Sequence, residues 1–203
     1  TLVFGVTRIV NFAHGSFYML GAYMAVTIVP WLLQIERSPT LFFAGVLISA
    51  AVVGVLGVAM EILLLRRIYK APELFQLLAT FGVVLMVQDA VLHIWGPLDI
   101  AGPRAPGLRH GVMILDQRFP AYELFLIAAG PVVLGLLWLL MHKTRFGILL
   151  RAATRDREMV GALGVNQALL FTGTLFLGAF LAGLGGALQI PRVSASAQMD
   201  LAI

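Results

Sequence analysis

His14 and Ser16 lie two positions apart in the stretch RIVNFAHGSFYMLGAY, from Arg8 to Tyr23, and are the only sequence neighbours here that suggest a base beside a nucleophile. Proximity along the chain does not supply the hydrogen-bond geometry that an activated hydroxyl needs. Asp89 and His93 are a second candidate pair. At i and i+4 they share one helix face, and ionisable groups at membrane depth can line a route or relay a proton. Their place near the outer end of an apolar run favours a structural pair at the interface, with Gln88 as a supporting partner. The four histidines, His14, His93, His110 and His142, are scattered, and no His and carboxylate spacing matches a metal site. The absence of cysteine excludes disulfides and thiol redox chemistry. Neither lysine, Lys70 or Lys143, stands in a GxxxxGK[ST] phosphate loop, so the chain is not an ATPase. No catalytic residue, metal or cofactor is expected.

The elements that carry these residues are membrane spans. Hydrophobic residues make up 60% of the chain and charged ones 12%, an apolar share above that of soluble domains. The expected fold is an all-α, polytopic transmembrane helical bundle of about six spans, forming a single domain over residues 1–203. Thr1 to Val10 reads as the last turns of a helix, followed by a break around Asn11 to Gly15. Apolar runs follow from Ser16 to Ile35, Leu41 to Leu65, Leu74 to Trp95, Tyr122 to Met141 and Ala168 to Ile190, each long enough to cross the hydrocarbon core. The chain opens without Met inside an apolar segment and stops without a tail, so both termini are expected to be truncated. Small residues spaced four apart, such as Gly178, Ala182 and Gly186, allow close helix packing.

Between the last two runs lies a charged island, KTRFGILLRAATRDREMVGALGVNQ, from Lys143 to Gln167. Clustered positive residues mark the side where translocation is disfavoured, which places this loop in the cytoplasm. Alternating from there, Arg8, Arg66, Arg67, Lys70, Lys143, Arg145, Arg151, Arg155 and Arg157 fall inside, and Arg37, Arg104, Arg109, Arg118 and Arg192 fall outside. The opposite assignment would violate the positive-inside rule at the two densest clusters. The same bias accounts for the net charge of +4 without a nucleic-acid partner. Within the island a short helix is expected, with Asp156 as its cap, Glu158 in its first turn and Gly164 ending it in the left-handed conformation. Met159, Val160 and Leu163 then form a small apolar face suited to docking. The loop from Gly96 to Ala121 is the longest on the outer side, with a strand-like run from Val112 to Leu115, and Asp116 and Glu123 are expected to be solvated at its edges.

The stretch NFAHG followed by GAY resembles the opening segment of the bacterial branched-chain amino acid ABC permeases of the LivH type. The resemblance continues through RRIYKAPELFQLLATFGV and TRFGILLRAATRDREMVGALGVN, and covers nearly the whole chain. It implies a permease in the bacterial inner membrane, in contact with membrane lipid. Its implied partners are a second homologous permease, two cytoplasmic ATP-binding subunits and a periplasmic substrate-binding protein. The charged loop then becomes the segment that couples to an ATPase, through Arg155, Asp156, Glu158, Met159, Val160, Leu163 and Gly164. The basic run around Arg151 to Arg157 departs from the acidic start of the general ABC permease loop pattern. Asn11, His14, Ser16, Asp89 and His93 are candidates for the translocation path, and Arg104, Arg109 and Arg118 for docking of the binding protein. The implied cargo is leucine, isoleucine or valine, with urea or short amides as the alternative within the same family. An autonomous channel or secondary transporter would need ion-coupling carboxylates, for which Asp89 alone is thin support. An intramembrane hydrolase would rest on Ser16 and His14 alone.

Overall fold

The computed structural model describes residues 12–68, 71–108, 110–114 and 117–199. In chain order its elements are α1 (Ala13–Ile35), α2 (Pro39–Met60), α3 (Glu73–Trp95), β1 (Gly111–Ile114), β2 (Gln117–Pro120), α4 (Ala121–Lys143), α5 (Arg145–Arg155), α6 (Arg157–Ala162) and α7 (Gln167–Gln189). Helix α2 runs on through a π-helical turn, Glu61–Leu65, into Arg66–Ile68. Five helices, Ala13–Ile35, Pro39–Ile68, Leu74–Trp95, Ala121–Lys143 and Gln167–Gln189, are long and apolar enough to span a bilayer. The chain is therefore a multi-pass, all-α membrane protein, with one small hairpin added. The expected opening helix, Thr1 to Val10, lies outside the described residues, as does Asn11. The expected break reaches less far than Gly15, because α1 is already helical at Ala13.

Local chemistry sets the helix ends. Ser38 Oγ accepts from the Leu41 N–H at 3.3 Å and Pro39 occupies the first turn of α2, a favourable helix start. Gln76 Nε2 donates to the carbonyls of Ile68 at 3.2 Å and Ala71 at 2.8 Å, fastening the turn between α2 and α3. Gly96 ends α3 at φ +84°, a conformation that disfavours residues with a Cβ.

The chain forms two compact units. One holds α1, α2, α3 and α7 from Phe171 onward; the other runs from Arg104 to Leu170. In the first, the backbones of α1 and α7 touch: a Cβ at Gly21 would meet the backbone of Gly183, and one at Gly186 would meet the backbone of Tyr18. Phe17, Val53, Ala179 and Ala182 fill the core where α1, α2 and α7 meet. Lipid tails are as apolar as these side chains, so this contact holds by close van der Waals packing rather than by exclusion of water. Helix α3 joins through Trp95, whose ring lies 5.3 Å from that of Tyr23 and whose Nε1 donates to Thr27 Oγ1 at 2.9 Å. A two-way backbone bridge between Ile100 and Ala195, at 3.0 and 2.9 Å, ties the segments that follow α3 and α7.

In the second unit the hairpin pairs Gly111 with Pro120 and Ile114 with Gln117. Thr144 is the single residue between α4 and α5. Its Oγ1 donates to the Leu140 carbonyl at 2.6 Å and accepts from the Gly147 N–H at 3.3 Å.

Candidate functional site

Helix α6 is built as its residue types require. Asp156 is extended, with φ −146° and ψ 100°, and its Oδ1 accepts from the Met159 N–H at 3.0 Å, satisfying one of the donors that a helix start leaves open. At the other end Gly164 has φ +79°. Its N–H reaches the Gly161 carbonyl at 3.0 Å while the Val165 N–H reaches Val160 at 3.4 Å, the paired bonds of a Schellman motif. Glu158 takes its place in the first turn, and its side chain lies outside the described set. A Cβ at Gly161 would stand 2.5 Å from Gln167 Nε2, so α6 is seated closely on the first turn of α7.

The apolar face of α6 is divided. Val160 is buried, at 5% exposure, whereas Met159 and Leu163 stand out at 63% and 75%. Of the three residues expected to form a docking face, Met159 and Leu163 are thus exposed, one turn apart, while Val160 is turned into the protein. Arg155 and Asp156 are exposed beside it.

Sequence reasoning missed α5. Its buried residues are Gly147, Leu150 and Ala153, and Arg145, Arg151 and Arg155 lie on the exposed side. The signal was present: Thr144 is a cap, and Phe146, Leu149, Leu150 and Ala153 recur at i, i+3, i+4 and i+7. Arg151 donates to the Met141 carbonyl at the end of α4, and a Cβ on Gly147 would collide with the Met141 backbone, so α5 leaves the span at a fixed angle.

Among the described residues, the candidate path residues on α1, His14 and Ser16, are not brought together with Asp89 and His93 on α3. Ser16 is 1% exposed, and its hydroxyl has no hydrogen-bond partner. His14 is half-buried in the first turn of α1. Asp89 and His93 are both exposed on α3 and form no ion pair, which overturns the expected structural pair. They also stand near Trp95, which packs on Tyr23, seven residues and about 10 Å of helix rise beyond Ser16. Of the docking candidates, Arg104 and Arg118 are exposed, Arg118 on β2, and Arg109 lies outside the described residues. Among the described residues no group of three or more metal-ligating side chains occurs.

A further polar site was not foreseen. Glu61 is fully buried in the π-helical turn of α2. Its Oε1 accepts from Arg66 Nε at 2.9 Å, its Oε2 accepts from Thr172 Oγ1 at 2.8 Å, and an Arg66 terminal nitrogen donates to Thr172 Oγ1 at 2.8 Å. The π turn makes this possible, because its i→i+5 winding puts residues five apart on one face, where an α-helix would separate them.

Comparison with known proteins adds a consistent picture. A family model described as "Branched-chain amino acid transport system / permease component" matches residues 1–203. The chain is similar to the high-affinity branched-chain amino acid transport system permease protein LivH of Salmonella typhimurium, 28% identical over 196 residues that cover 93% of this chain and 63% of the relative. BraD, the corresponding permease protein of Pseudomonas aeruginosa, is 27% identical over 198 residues, with the same coverage of 93% and 63%. The probable branched-chain amino acid transport permease protein LivH of Methanocaldococcus jannaschii is 27% identical over 200 residues and is covered to 59% of its length. The chain thus spans less than two thirds of the length of these relatives. No solved structure matches it.

Proposed function

The chain belongs to the branched-chain amino acid transport system permease family, and on that premise we propose that it is the membrane-spanning subunit of an ABC importer moving leucine, isoleucine or valine across the bacterial inner membrane. The subunit itself performs no bond chemistry. ATP is hydrolysed by two separate cytoplasmic subunits, a second homologous permease completes the path, and a periplasmic protein delivers the cargo. The observation that carries the reading is α6: a short helix fixed at both ends, between two membrane spans, that holds Met159 and Leu163 out of the protein's own core. An exposed Met beside an exposed Leu is an adaptable apolar anchor for a pocket on another protein. The membrane side of α6 follows from the arginines around it. The cargo reading agrees with the charge distribution. Spans α1 and α7 contain no Asp, Glu, Lys or Arg, so they offer no fixed charge to grip an ion, and a zwitterion needs none. Selection then falls to the periplasmic protein, because discrimination needs groups that go unpaired with the wrong ligand.

The test is Met159→Asp in the reconstituted importer complex. Leucine uptake and the ATP hydrolysis stimulated by loaded binding protein should both fall while the subunits still assemble. Unchanged uptake and hydrolysis in a normally assembled complex would remove α6 from the coupling route.

A further inference from the structure

Glu61 is the one carboxylate within the five spans that the protein itself fully covers among the described residues, and its position calls for a reason. Burying a charge is costly unless it is paired and hydrogen-bonded. Here both oxygens are used, one by Arg66 on the same helix and one by Thr172 on α7. Arg66 bonds Thr172 as well, so three side chains close a ring in which every member contacts the other two. The ring sits on a π turn, a form of winding that is rare and is found frequently at functional positions. Apolar packing between α2 and α7 continues beside it through Leu65 and Leu175. Apolar side chains in place of both Glu61 and Arg66 would avoid the buried charge altogether.

The partners of Glu61 also occupy particular places along the chain. Thr172 is on the second turn of α7, and α7 is one uninterrupted helix from Gln167 to Gln189. The first residue of that helix, Gln167, is the one against which Gly161 of α6 is seated. Asn166 caps α7 by accepting from the Leu169 N–H at 3.2 Å, which keeps the start of the helix formed. A push on α6 therefore meets α7 at Gln167, and five residues further along the same helix Thr172 is hydrogen-bonded to Glu61 and Arg66 of the α2 span. Between α6 and α2 the route consists of one tight contact, about one and a half helical turns, and one charged contact.

We propose that Glu61, Arg66 and Thr172 form a latch that fixes α7 to α2 and passes displacement of α6 into the membrane helices. The inference rests on the reading of α6 as the ATPase-coupling helix and names the next element in that route. These are positioning residues: they touch neither cargo nor nucleotide. A directional, charge-assisted contact suits this task, because the ring holds one register and loses its bonds when the helices shift. The Arg66 side chain, at 39% exposure, lets the ring open toward water without stranding the arginine, while Glu61 stays covered.

The experiment uses the reconstituted importer complex with four single variants, Thr172→Val, Thr172→Ser, Glu61→Gln and Met159→Asp. Three quantities are read for each: the melting temperature of the complex, ATP hydrolysis stimulated by leucine-loaded binding protein, and leucine molecules moved per ATP. Thr172→Val keeps the shape of the side chain and loses the hydroxyl. It should still assemble and hydrolyse ATP on stimulation, with a melting temperature lowered by only a few degrees, yet move about tenfold less leucine per ATP, the scale expected from losing one hydrogen bond to a charged group. Thr172→Ser restores the hydroxyl and should restore the ratio. Glu61→Gln, which leaves Arg66 without its counter-charge, should lower the ratio by at least as much. A role in stability alone would lower melting temperature and uptake together and leave leucine per ATP unchanged, and that result overturns the latch. If Met159→Asp lowers uptake but Thr172→Val and Glu61→Gln keep the parental ratio, the latch is wrong and the coupling helix stands. If Met159→Asp has no effect, the coupling reading fails and the latch loses its route.

Discussion

Helix α6 is six residues long, too short to persist on its own, so its two end caps should govern how much of the time it exists. Asp156→Ala removes the side chain that accepts from Met159 at 3.0 Å. Losing an N-cap costs about 1 kcal/mol, and this bond is exposed, which argues against the upper end of the usual range of about 0.5–2. That energy corresponds to roughly a fivefold rise in the open fraction of the helix. The Schellman bonds at Gly164 and the buried Val160 remain, so the helix should fray from its start rather than melt outright. Asp156→Asn keeps an acceptor of equal rank and serves as the control. Amide hydrogen exchange across residues 157–165, read in the permease before and after ATPase subunits are added, is the assay. Exchange should quicken about fivefold in Asp156→Ala, stay near the parent in Asp156→Asn, and slow again when ATPase subunits dock on Met159 and Leu163. If Asn and Ala behave alike, the cap does not hold α6 and the chain of reasoning from cap to coupling breaks at its first link.

Two more predictions test the packing and the outer face. Gly21→Ala places a methyl on the backbone of Gly183 and should destabilise the α1 and α7 contact by about 1–3 kcal/mol or more, whereas Gly82→Ala meets nothing within 4 Å and should stabilise by up to about 1 kcal/mol. Unfolding of the purified protein in detergent, measured by denaturant titration, separates the two, and equal effects would refute the close approach. Reversing the exposed Arg104 and Arg118 to glutamate should slow association of the periplasmic protein at low salt, with the difference fading as salt rises. Association rates from surface binding that do not change would place the docking site elsewhere.

The membrane spans were legible because hydropathy and span length are one-dimensional properties: four of the five apolar runs fall within the helices found, and the fifth overruns α7 by one residue, Ile190. The loop helix α6 was legible because Asp156 and Gly164 act on neighbours three to five residues away. Helix α5 was hidden by its own arginines: a run with Arg145, Arg151 and Arg155 reads as a charged face until Thr144 and the spacing of Phe146, Leu149, Leu150 and Ala153 are weighed together. Asp89 and His93 show the reverse error. Their i, i+4 spacing allows contact but does not compel it, and both side chains are exposed without pairing. The Glu61 ring could not be read at all. It needs a π turn that no residue announces and a hydrogen bond between positions 111 apart in the chain.

The central claim is that this chain moves branched-chain amino acids only when driven by ATPase partners. The most direct measurement is uptake of labelled leucine into proteoliposomes holding the complete importer, with loaded binding protein outside and ATP within. Saturable leucine uptake that requires both ATP and the ATPase subunits, competed by isoleucine and valine and untouched by urea, is the predicted result. Leucine uptake that persists without the ATPase subunits, or uptake of urea in place of leucine, would contradict it.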